Sequence, residues 1–240
     1  MELYYTDKKN IFSTYLRITN LEAHHIAKVM RHKPGDMLFV TDGEGNEYQT
    51  MIKTIYSNYI EAGIINKSRK ARETITNVTL AQSIIKGNHM DFIIEKATEL
   101  GVREIIPIIT ERTIASVSDE KTQRYQNLIL AALKSSTRTC LPSLLKSIQF
   151  RKLLETIDSF DLALLAWEGE KSNRLGDVMS RNLLKKVLLI IGPEGGFTAS
   201  EINEAMSCGV KCFNMGPRRL RAETATIAAI SLLLYELKEM

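Results

Sequence analysis

Residues 186–226 constrain the fold of this chain most, because two apolar strand-like runs there each end in a Gly-Pro turn. The first run, 186–191, stops at GPEGG (192–196), where small residues let the backbone approach a ligand closely. The second run, 210–215, stops at Gly216-Pro217. Loops at the carboxyl ends of neighbouring parallel strands form the ligand crevice of an open α/β sheet. We therefore expect both turns to line one pocket.

A helix is predicted between these two runs. Thr198 is followed three residues later by Glu201, which is the pattern of a capping box, and Phe197 is placed to staple onto Ile202. Gly209 is expected to end the helix. The pocket loop therefore leads into a helix whose entry is fixed by side chains.

The chain from Thr74 onward alternates strand-like and helical patterns, which favours a parallel sheet flanked by helices. Strands are expected at 78–85, 104–109 and 161–167. Helices are expected at 90–100 and 120–136, from 168 through about 184, and from about 222 to the C-terminus. The last of these is apolar around most of its circumference, so both of its faces should be covered.

Residues 1–66 have a different pattern, with short β-type runs separated by turn residues. The runs are 14–18, 37–41, 48–55 and 59–65; residues 42–46 form a hairpin loop, and one helix is expected at 21–30. This predicts a small β-barrel with one helix. The basic stretch 67–72 is predicted to be a domain linker, either simply solvated or in contact with phosphates.

Composition narrows the function only slightly. The formal charge of +4 is compatible with a polyanionic partner. Cys140, Cys208 and Cys212 have no metal-site spacing, so we expect no metal and no disulfide, and interpret all three as buried thiols of a reducing compartment. No leader-like start and no run of membrane-spanning length is seen, so a soluble cytoplasmic protein without a membrane partner is expected.

Two motifs near the C-terminus, GPEGGF (192–197) and MGPRRLRAETA (215–225), are the most specific patterns in the chain. They resemble the corresponding motifs of one family, the ribosomal small-subunit RNA methyltransferases E. Further matches are Lys86-Gly87 with Met90, IEKATELGV (94–102), Glu111-Arg112, Arg138 with Pro142 and, near the N-terminus, His25, Val29, Arg31, Gly35-Asp36 and Asp42-Gly43. Lys134-Ser135 depart from the Glu-Gln that many members carry there. The resemblance covers essentially the whole chain.

The resemblance implies an S-adenosylmethionine-dependent enzyme that methylates N3 of a specific uridine in 16S rRNA, within the small ribosomal subunit. The implied fold class is α/β: a SPOUT-type methyltransferase domain with a deep trefoil knot and a parallel sheet at 73–240, preceded by a small PUA-like β-barrel RNA-binding domain at 1–70. A homodimer with the active site near its interface is also implied.

Methyl transfer to uridine N3 needs aligned reactants, a group that removes or accepts the N3 proton and a group that stabilises negative charge, but no metal. We predict that Arg221 stabilises charge on the uracil carbonyls or positions a phosphate. Glu223 or Glu194 is expected to order the loops or to help remove the proton. Glu223 would alternatively serve only the first turn of the last helix, and Glu194 only its own turn.

Two further sets of residues are predicted. The cofactor-binding residues are Leu165, Glu168, Gly169, Ile191, Gly192, Pro193, Gly195, Gly196, Met215, Gly216, Leu220, Arg221, Thr224 and Ala225. The RNA-binding residues are Arg31, Lys33, Arg69, Arg72, Arg138 and Arg218.

Two alternatives stay open. One is a knotted methyltransferase that acts on another RNA, either a tRNA or 23S rRNA. The other is a non-catalytic RNA-binding protein with a degenerate pocket. A P-loop nucleotide enzyme is not supported, because no Gly-Lys-Ser/Thr follows the glycines.

Overall fold

The computed structural model describes residues 2–69, 72–114, 118–179 and 183–240. Contacts divide the chain into two units. The first comprises Met1–Glu73 and Leu130–Leu141, and the second Thr74–Ile129 and Pro142–Met240. The grouping of residues 130–141 with the N-terminal part has no counterpart in the sequence-based boundary of 1–70 and 73–240, which stays a prediction.

The first unit is built on a sheet with one buried and one exposed face. Its strands are β1 (Leu3–Tyr5), β2 (Tyr15–Thr19), β3 (Met37–Thr41), β4 (Asn46–Ile55) and β5 (Tyr59–Arg69), in the order β1-β3-β4-β5-β2. Only β1 and β3 pair in parallel. The Thr6 hydroxyl, just after β1, donates to the Arg17 carbonyl of β2 at 2.6 Å, so the two edge strands meet and the sheet is curled. The small β-rich unit is thus confirmed.

The predicted helix at 21–30 is divided in two. Helix α1 (Asn20–His24) passes directly into a π-helical turn, His25–Val29, and Arg31 follows with a positive φ of 60°. Wide π turns often mark functional segments, because they change the direction of the side chains that follow.

The predicted linker at 67–72 is partly wrong. Residues 67–69 belong to β5 and pair with Tyr48, Glu47 and Asn46 of β4, whereas Lys70 and Ala71 lie outside the described residues. Nothing in the sequence indicates this pairing, because the side chains of residues 67–69 are polar and exposed. Backbone hydrogen bonds to β4, rather than an apolar face, hold this end of β5.

A buried carboxylate ties residues 130–141 to the first unit. Glu73 accepts hydrogen bonds from the backbone amides of Thr139 (2.7 Å) and Cys140 (2.8 Å) and forms an ion pair with Arg138 at 2.9 Å. The Glu73 and Arg138 side chains are only 1% and 3% exposed. This cluster explains why a segment so distant in sequence folds with residues 1–73.

The second unit has the predicted α/β alternation. Its elements are β6 (Asn77–Ser83), α2 (His89–Glu99), β7 (Glu104–Ile109), α3 (Asp119–Ser135, which crosses the boundary between units), β8 (Ser143–Leu144), β9 (Ile148–Gln149), α4 (Phe150–Leu154), β10 (Leu162–Ala166), α5 (Leu175–Val178), β11 (Lys186–Ile191), α6 (Ala199–Ser207), β12 (Lys211–Phe213) and α7 (Ala222–Glu236). The strands run parallel in the order β12-β10-β11-β6-β7-β8, and β9 also pairs with β7. The predicted parallel sheet is therefore confirmed.

Strand β11 lies inside this sheet, between β10 and β6. Leu188 and Ile190 pack into a core with α4 and α6, whereas Val187, Leu189 and Ile191 are buried on the opposite face. Helix α7 packs against β11 and α2. A parallel strand covered on both faces reads as an unbroken apolar run, which is why its bounds could be predicted.

The predicted entry of α6 is confirmed. The Thr198 hydroxyl accepts from the Glu201 amide (3.2 Å), and the Glu201 carboxylate accepts from the Thr198 amide (2.8 Å). Phe197 and Ile202 share the same buried cluster, and Gly209 follows the helix with φ of 85°.

A buried hydrogen bond fastens α7 to β6. The Thr226 hydroxyl lies 2.6 Å from Oε1 of Gln82 and 2.8 Å from the carbonyl of Ala222, and both Thr226 and Gln82 are fully buried. The beginning of α7 is thereby fixed above the sheet.

The helix predicted from 168 to about 184 is much shorter than expected. Only α5 is helical in the described part of this segment, and Ser180, Arg181 and Asn182 lie outside the described residues. Gly169, near the start of this stretch, lowers its helical propensity. The trefoil knot stays a prediction.

Candidate active site

The first Gly-Pro loop leaves β11 in a tight turn. The Gly196 amide donates to the Pro193 carbonyl at 2.9 Å, and Gly196 has a φ of 69°. A Cβ on Gly196 would lie 3.0 Å from the Glu168 carboxylate, and one on Gly192 would lie 2.8 Å from the Phe197 ring. Glycine is thus required at position 196 mainly by the backbone conformation and at position 192 by the space that the Phe197 ring occupies.

The second Gly-Pro loop connects β12 to α7. Asn214 accepts from the Gly216 amide at 3.0 Å, and Gly216 has a φ of 103°. Arg221 is the residue that precedes the first turn of α7. Glu223 lies within that turn, where its charge is favourable to the helix dipole.

A third loop follows β10. The Trp167 amide donates to the Phe213 carbonyl at 2.9 Å, which joins this loop to β12. A Cβ on Gly169 would lie 2.3 Å from the Trp167 ring, so glycine is needed there for the ring to pack.

The three loops enclose a cavity of about 450 Å³. It is lined by His89, Ala166, Trp167, Glu168, Ile191, Gly192, Pro193, Glu194, Gly196, Phe197, Met215, Gly216, Arg218, Arg219, Leu220, Arg221, Ala222, Glu223 and Ala225. The expectation that the two turns share one pocket is therefore met.

Most of the predicted cofactor and catalytic residues line this cavity, including Arg221, Glu223 and Glu194. Four do not. Leu165 is fully buried in the sheet core, and Thr224 is exposed on the first turn of α7. Gly169 packs under Trp167, and the Gly195 carbonyl accepts from Arg112 at 2.6 Å. Alternation along β10 turns Leu165 away from the cavity, so its predicted contact with an adenine is corrected.

His89 is a cavity residue that the sequence did not indicate. Its Nδ1 lies 3.4 Å from Oε1 of Glu223, whose side chain is 17% exposed. His89 is the first residue of α2, in a segment separated by more than a hundred residues from Glu223, so only the fold brings the two together. Phe197 and Arg219 also line the cavity.

The Glu194 loop is held by charged and backbone contacts. Its carboxylate accepts from the Lys86 amide at 3.2 Å, and its carbonyl accepts from Arg219 at 3.2 Å. Arg112 binds the neighbouring Gly195 carbonyl. Glu194 therefore has a positioning part in this structure.

The predicted RNA-binding residues are distributed over both units. Arg31, Lys33, Arg69 and Arg218 are exposed, and Arg72 is bound to Glu47 and to the Thr137 carbonyl. Arg138 is buried in its pair with Glu73, so its side chain is not presented to a phosphate. The expectation for Arg138 is corrected to a structural one.

The cysteines add no further reactive group to the candidate site. Cys140 and Cys212 are buried, but Cys208 is exposed, contrary to expectation. Burial and the nearby Glu170 raise the pKa of Cys212 to about 11, which keeps the thiol protonated. In the described residues, His, Cys, Asp and Glu form no group suited to a metal ion. None of the helices in the described ranges has the length and apolar character needed to span a bilayer.

Comparison with known proteins gives consistent results. A family model described as an RNA methyltransferase domain matches residues 72–234, and another described as an RNA methyltransferase PUA domain matches 18–65. Ribosomal RNA small subunit methyltransferase E of Bacillus subtilis (strain 168) is 29% identical over 91% of this chain and 89% of its own length. That of Synechocystis sp. is 31% identical over 93% of this chain and 74% of its own length.

A solved structure supports the same relationship. The crystal structure of a ribosomal RNA small subunit methyltransferase E from Neisseria gonorrhoeae, bound to S-adenosyl methionine, superposes with a TM-score of 0.89 at 30% identity. The superposition covers 98% of this chain and 97% of that chain.

Proposed function

Because this chain belongs to the ribosomal RNA small subunit methyltransferase E family, we propose that it methylates N3 of one specific uridine in 16S rRNA. The chain is an S-adenosylmethionine-dependent rRNA methyltransferase. We further propose that its substrate is the assembled small ribosomal subunit, which makes the cytoplasm its place of action. The observation that carries this proposal is the cavity enclosed by both Gly-Pro loops.

The residues present fit the methyl donor. The cavity volume of about 450 Å³ lies in the range of small-molecule sites. Gly192, Gly196 and Gly216 let the backbone approach a ligand, and Ile191 and Leu220 offer apolar walls for an adenine. Glu168 offers a carboxylate to hydroxyl or ammonium donors. When bound there, S-adenosylmethionine supplies an electrophilic methyl group on a sulfonium.

The remaining groups suit the chemistry of the acceptor. Uridine N3 must lose its proton before its lone pair can form the new bond to carbon. We assign proton removal to the pair formed by His89 and Glu223, in which the imidazole takes the proton and the carboxylate stabilises the resulting imidazolium. Arg221 faces the same cavity and stabilises the negative charge that develops on the uracil carbonyls. Glu194 orders the loop.

RNA binding is assigned to exposed cations of both units. In the first unit, Arg31 and Lys33 follow the π-helical turn, Arg69 is the last residue of β5, and Arg72 lies three residues further along the chain. In the second unit, Arg218 lines the cavity. Such residues bind phosphates without reading the sequence. The target uridine must leave its helix to reach a buried methyl donor, so base extrusion is part of the proposal.

We also propose a homodimer formed through α7. Leu232 and Tyr235 of this helix are 42% and 68% exposed, on an element whose other side is buried in the second unit. Covering this apolar side by a second copy removes it from water.

Calorimetric titration with S-adenosylmethionine, with ATP and NAD as controls, tests the cavity. Methyl incorporation into unmethylated small subunits, naked 16S rRNA and tRNA then tests the substrate, followed by mapping of the modified base. We expect selective binding of the donor and methylation of one uridine N3 in small subunits. Methylation of tRNA alone would contradict the proposed substrate, and absence of donor binding with and without subunits would contradict the proposed activity.

Replacing Arg221 tests its assigned role directly. Arg221→Ala should lower the rate of methyl transfer about a hundredfold or more, because one preorganised charge near the reacting atoms is lost. Arg151→Ala, which removes a largely exposed arginine of α4 in the same unit, is the matched control and should retain activity. Unchanged methyl transfer and RNA affinity in Arg221→Ala would show the assignment to be wrong.

A further inference from the structure

The exposed face of the first unit carries two stacked aromatic pairs. Phe12 stacks on Tyr15 with ring centroids 4.5 Å apart, and Tyr56 stacks on Tyr59 at 4.4 Å. Each pair closes a tight turn, since the Phe12 amide donates to the Tyr15 carbonyl and the Tyr56 amide to the Tyr59 carbonyl, both at 2.9 Å. The rings are thus held in place by the backbone on both sides of each turn.

Arg17 joins the two pairs. Its guanidinium carbon lies 5.6 Å from the ring centroids of both Phe12 and Tyr15 and 5.1 Å from that of Tyr59. We call this set, Phe12, Tyr15, Arg17, Tyr56 and Tyr59, the aromatic platform. Cation–π contacts of this kind fix a planar cation among planar rings.

Strand register explains why these side chains share one face. Tyr15 pairs with Gly63, Arg17 with Glu61 and Thr19 with Tyr59 across β2 and β5. The intervening Leu16 and Ile18 are fully buried, so the platform residues point to solvent.

The platform and its neighbours carry an excess of positive charge. Lys53 lies over Gly63, since a Cβ built on that glycine would be 2.7 Å from the Lys53 Cε, and Glu61 forms an ion pair with Arg17 at 3.4 Å. Arg17 and Lys53 together outweigh the single carboxylate of Glu61, which complements a phosphate backbone.

One ring of each stacked pair is largely accessible to a ligand. Phe12 is 40% and Tyr56 46% exposed. We infer that the aromatic platform stacks unpaired bases of the RNA substrate, with Arg17 and Lys53 next to the phosphates. This inference rests on the proposed function and extends it, because it adds base stacking to the phosphate contacts assigned above.

The observations favour single-stranded RNA over a protein partner. Aromatic rings and arginine planes on a sheet face, interleaved with charges, are how proteins hold splayed bases, whereas a protein interface has a core depleted of charge. The preset geometry of both stacks also lowers the entropy lost on binding.

The test uses the full-length protein and a fluorescein-labelled oligouridylate of about ten nucleotides, a length within the range that single-strand-binding OB-fold domains cover. Fluorescence anisotropy should show that Phe12→Ala combined with Tyr56→Ala weakens binding about five- to hundredfold for each base unstacked. The variant with Phe12→Tyr and Tyr56→Phe keeps both rings and should bind as the unchanged protein does. Leu21→Ala, at a residue 87% exposed on α1, is the control for loss of an exposed apolar side chain.

An abasic oligonucleotide of the same length separates stacking from charge or folding effects. The unchanged protein and the double alanine variant should bind it equally, because no base is left to stack. Unaltered oligouridylate binding by the variant, equal weakening for both probes, or no measurable binding by the unchanged protein would each overturn the inference. So would a variant that loses affinity only for small subunits, which would indicate a protein partner.

The same variant separates this inference from the proposed function. Its calorimetric titration with S-adenosylmethionine should match that of the unchanged protein, because the cavity lies in the second unit. Loss of oligonucleotide binding with donor binding intact supports the platform. Absence of donor binding by the unchanged protein, both with and without small subunits, contradicts the proposed function, and the two oligonucleotide probes then test the platform separately.

Discussion

Glu73 shows how much one buried side chain contributes to the first unit. Its carboxylate accepts backbone hydrogen bonds from Thr139 and Cys140 and forms an ion pair with the buried side chain of Arg138. The desolvation cost of such a pair is large, so its net stabilisation is modest, but removing one partner takes an opposite charge away from the buried charge that remains.

Glu73→Ala should lower the free energy of unfolding of the first unit by about 3–5 kcal/mol, because Arg138 loses its buried counter-charge. Chemical denaturation measures this change. The matched control is Glu155→Ala, which removes an exposed pair with Lys152 and should change stability by at most about 1 kcal/mol. Equal effects of the two substitutions would contradict the assigned role of Glu73.

The environment of Tyr48 should make the folded protein less stable at alkaline pH. Burial and the nearby Asp42 carboxylate, which its hydroxyl contacts at 3.3 Å, raise the pKa of Tyr48 to about 12. In the unfolded chain the phenol ionises near pH 10. The folded state therefore holds the proton more tightly, so the contribution of Tyr48 to stability is constant below about pH 10 and is lost between about pH 10 and 12.

Tyr48→Phe should make the alkaline decrease less steep, because the residue that must ionise on unfolding is gone. Denaturation midpoints of both proteins measured between about pH 8 and 12 test this. Part of the alkaline decrease in stability should remain in the variant, because the pKa of Tyr5 is also raised to about 12. Identical pH dependence in the two proteins would show that Tyr48 does not contribute.

The loops of the candidate site could be predicted where glycine and proline residues directly follow an apolar strand in the sequence. Gly196 and Gly216 were expected from the sequence because tight turns after strands need a positive φ, and both line the cavity. His89 was not, since its pairing with Glu223 depends on how α2 and α7 pack. Arg138 was assigned to RNA because a charge carries no sign of burial until its partner is known.

At the scale of elements, the strands whose bounds could be predicted are those that form an apolar run in the sequence. The bounds of β3, β7 and β11 agree with the sequence patterns, because these strands are bounded by turn residues or charges. Strand β1 and the last residues of β5 were missed, since their pairing is set by distant strands rather than by local pattern.

Helix α7 offers a test of how an element is fastened to its sheet. Thr226→Val should lower the free energy of unfolding by about 1–3 kcal/mol, because the buried Gln82 carbonyl oxygen loses its donor. Thr226→Ser keeps the hydroxyl and is the matched control, expected to be the milder change. Thermal or chemical denaturation compares them, and a valine variant at least as stable as the serine variant would contradict this account.

At the scale of the whole molecule, the oligomeric state in solution tests the proposed dimer. Leu232→Glu should convert a dimer into monomers, because a charge would be buried in the interface. Light scattering or analytical ultracentrifugation gives the mass. Leu145→Glu is the matched control, since Leu145 is 41% exposed against 42% for Leu232 but lies outside α7. A monomeric unchanged protein, or a dimeric Leu232→Glu variant, would contradict the proposal.

The order of the parallel sheet also dictates when this protein can mature during its own synthesis. Strand β11, which fills the gap between β10 and β6, is encoded near the end of the message. Until residue 191 has left the ribosome, β6 and β10 have no partner at that position, and unpaired strand edges invite aggregation. The first unit likewise waits for residues 130–141. A chain stalled between residues 141 and 191 therefore contains all residues of the first unit but lacks β11, so the sheet of the second unit stays open until late in synthesis.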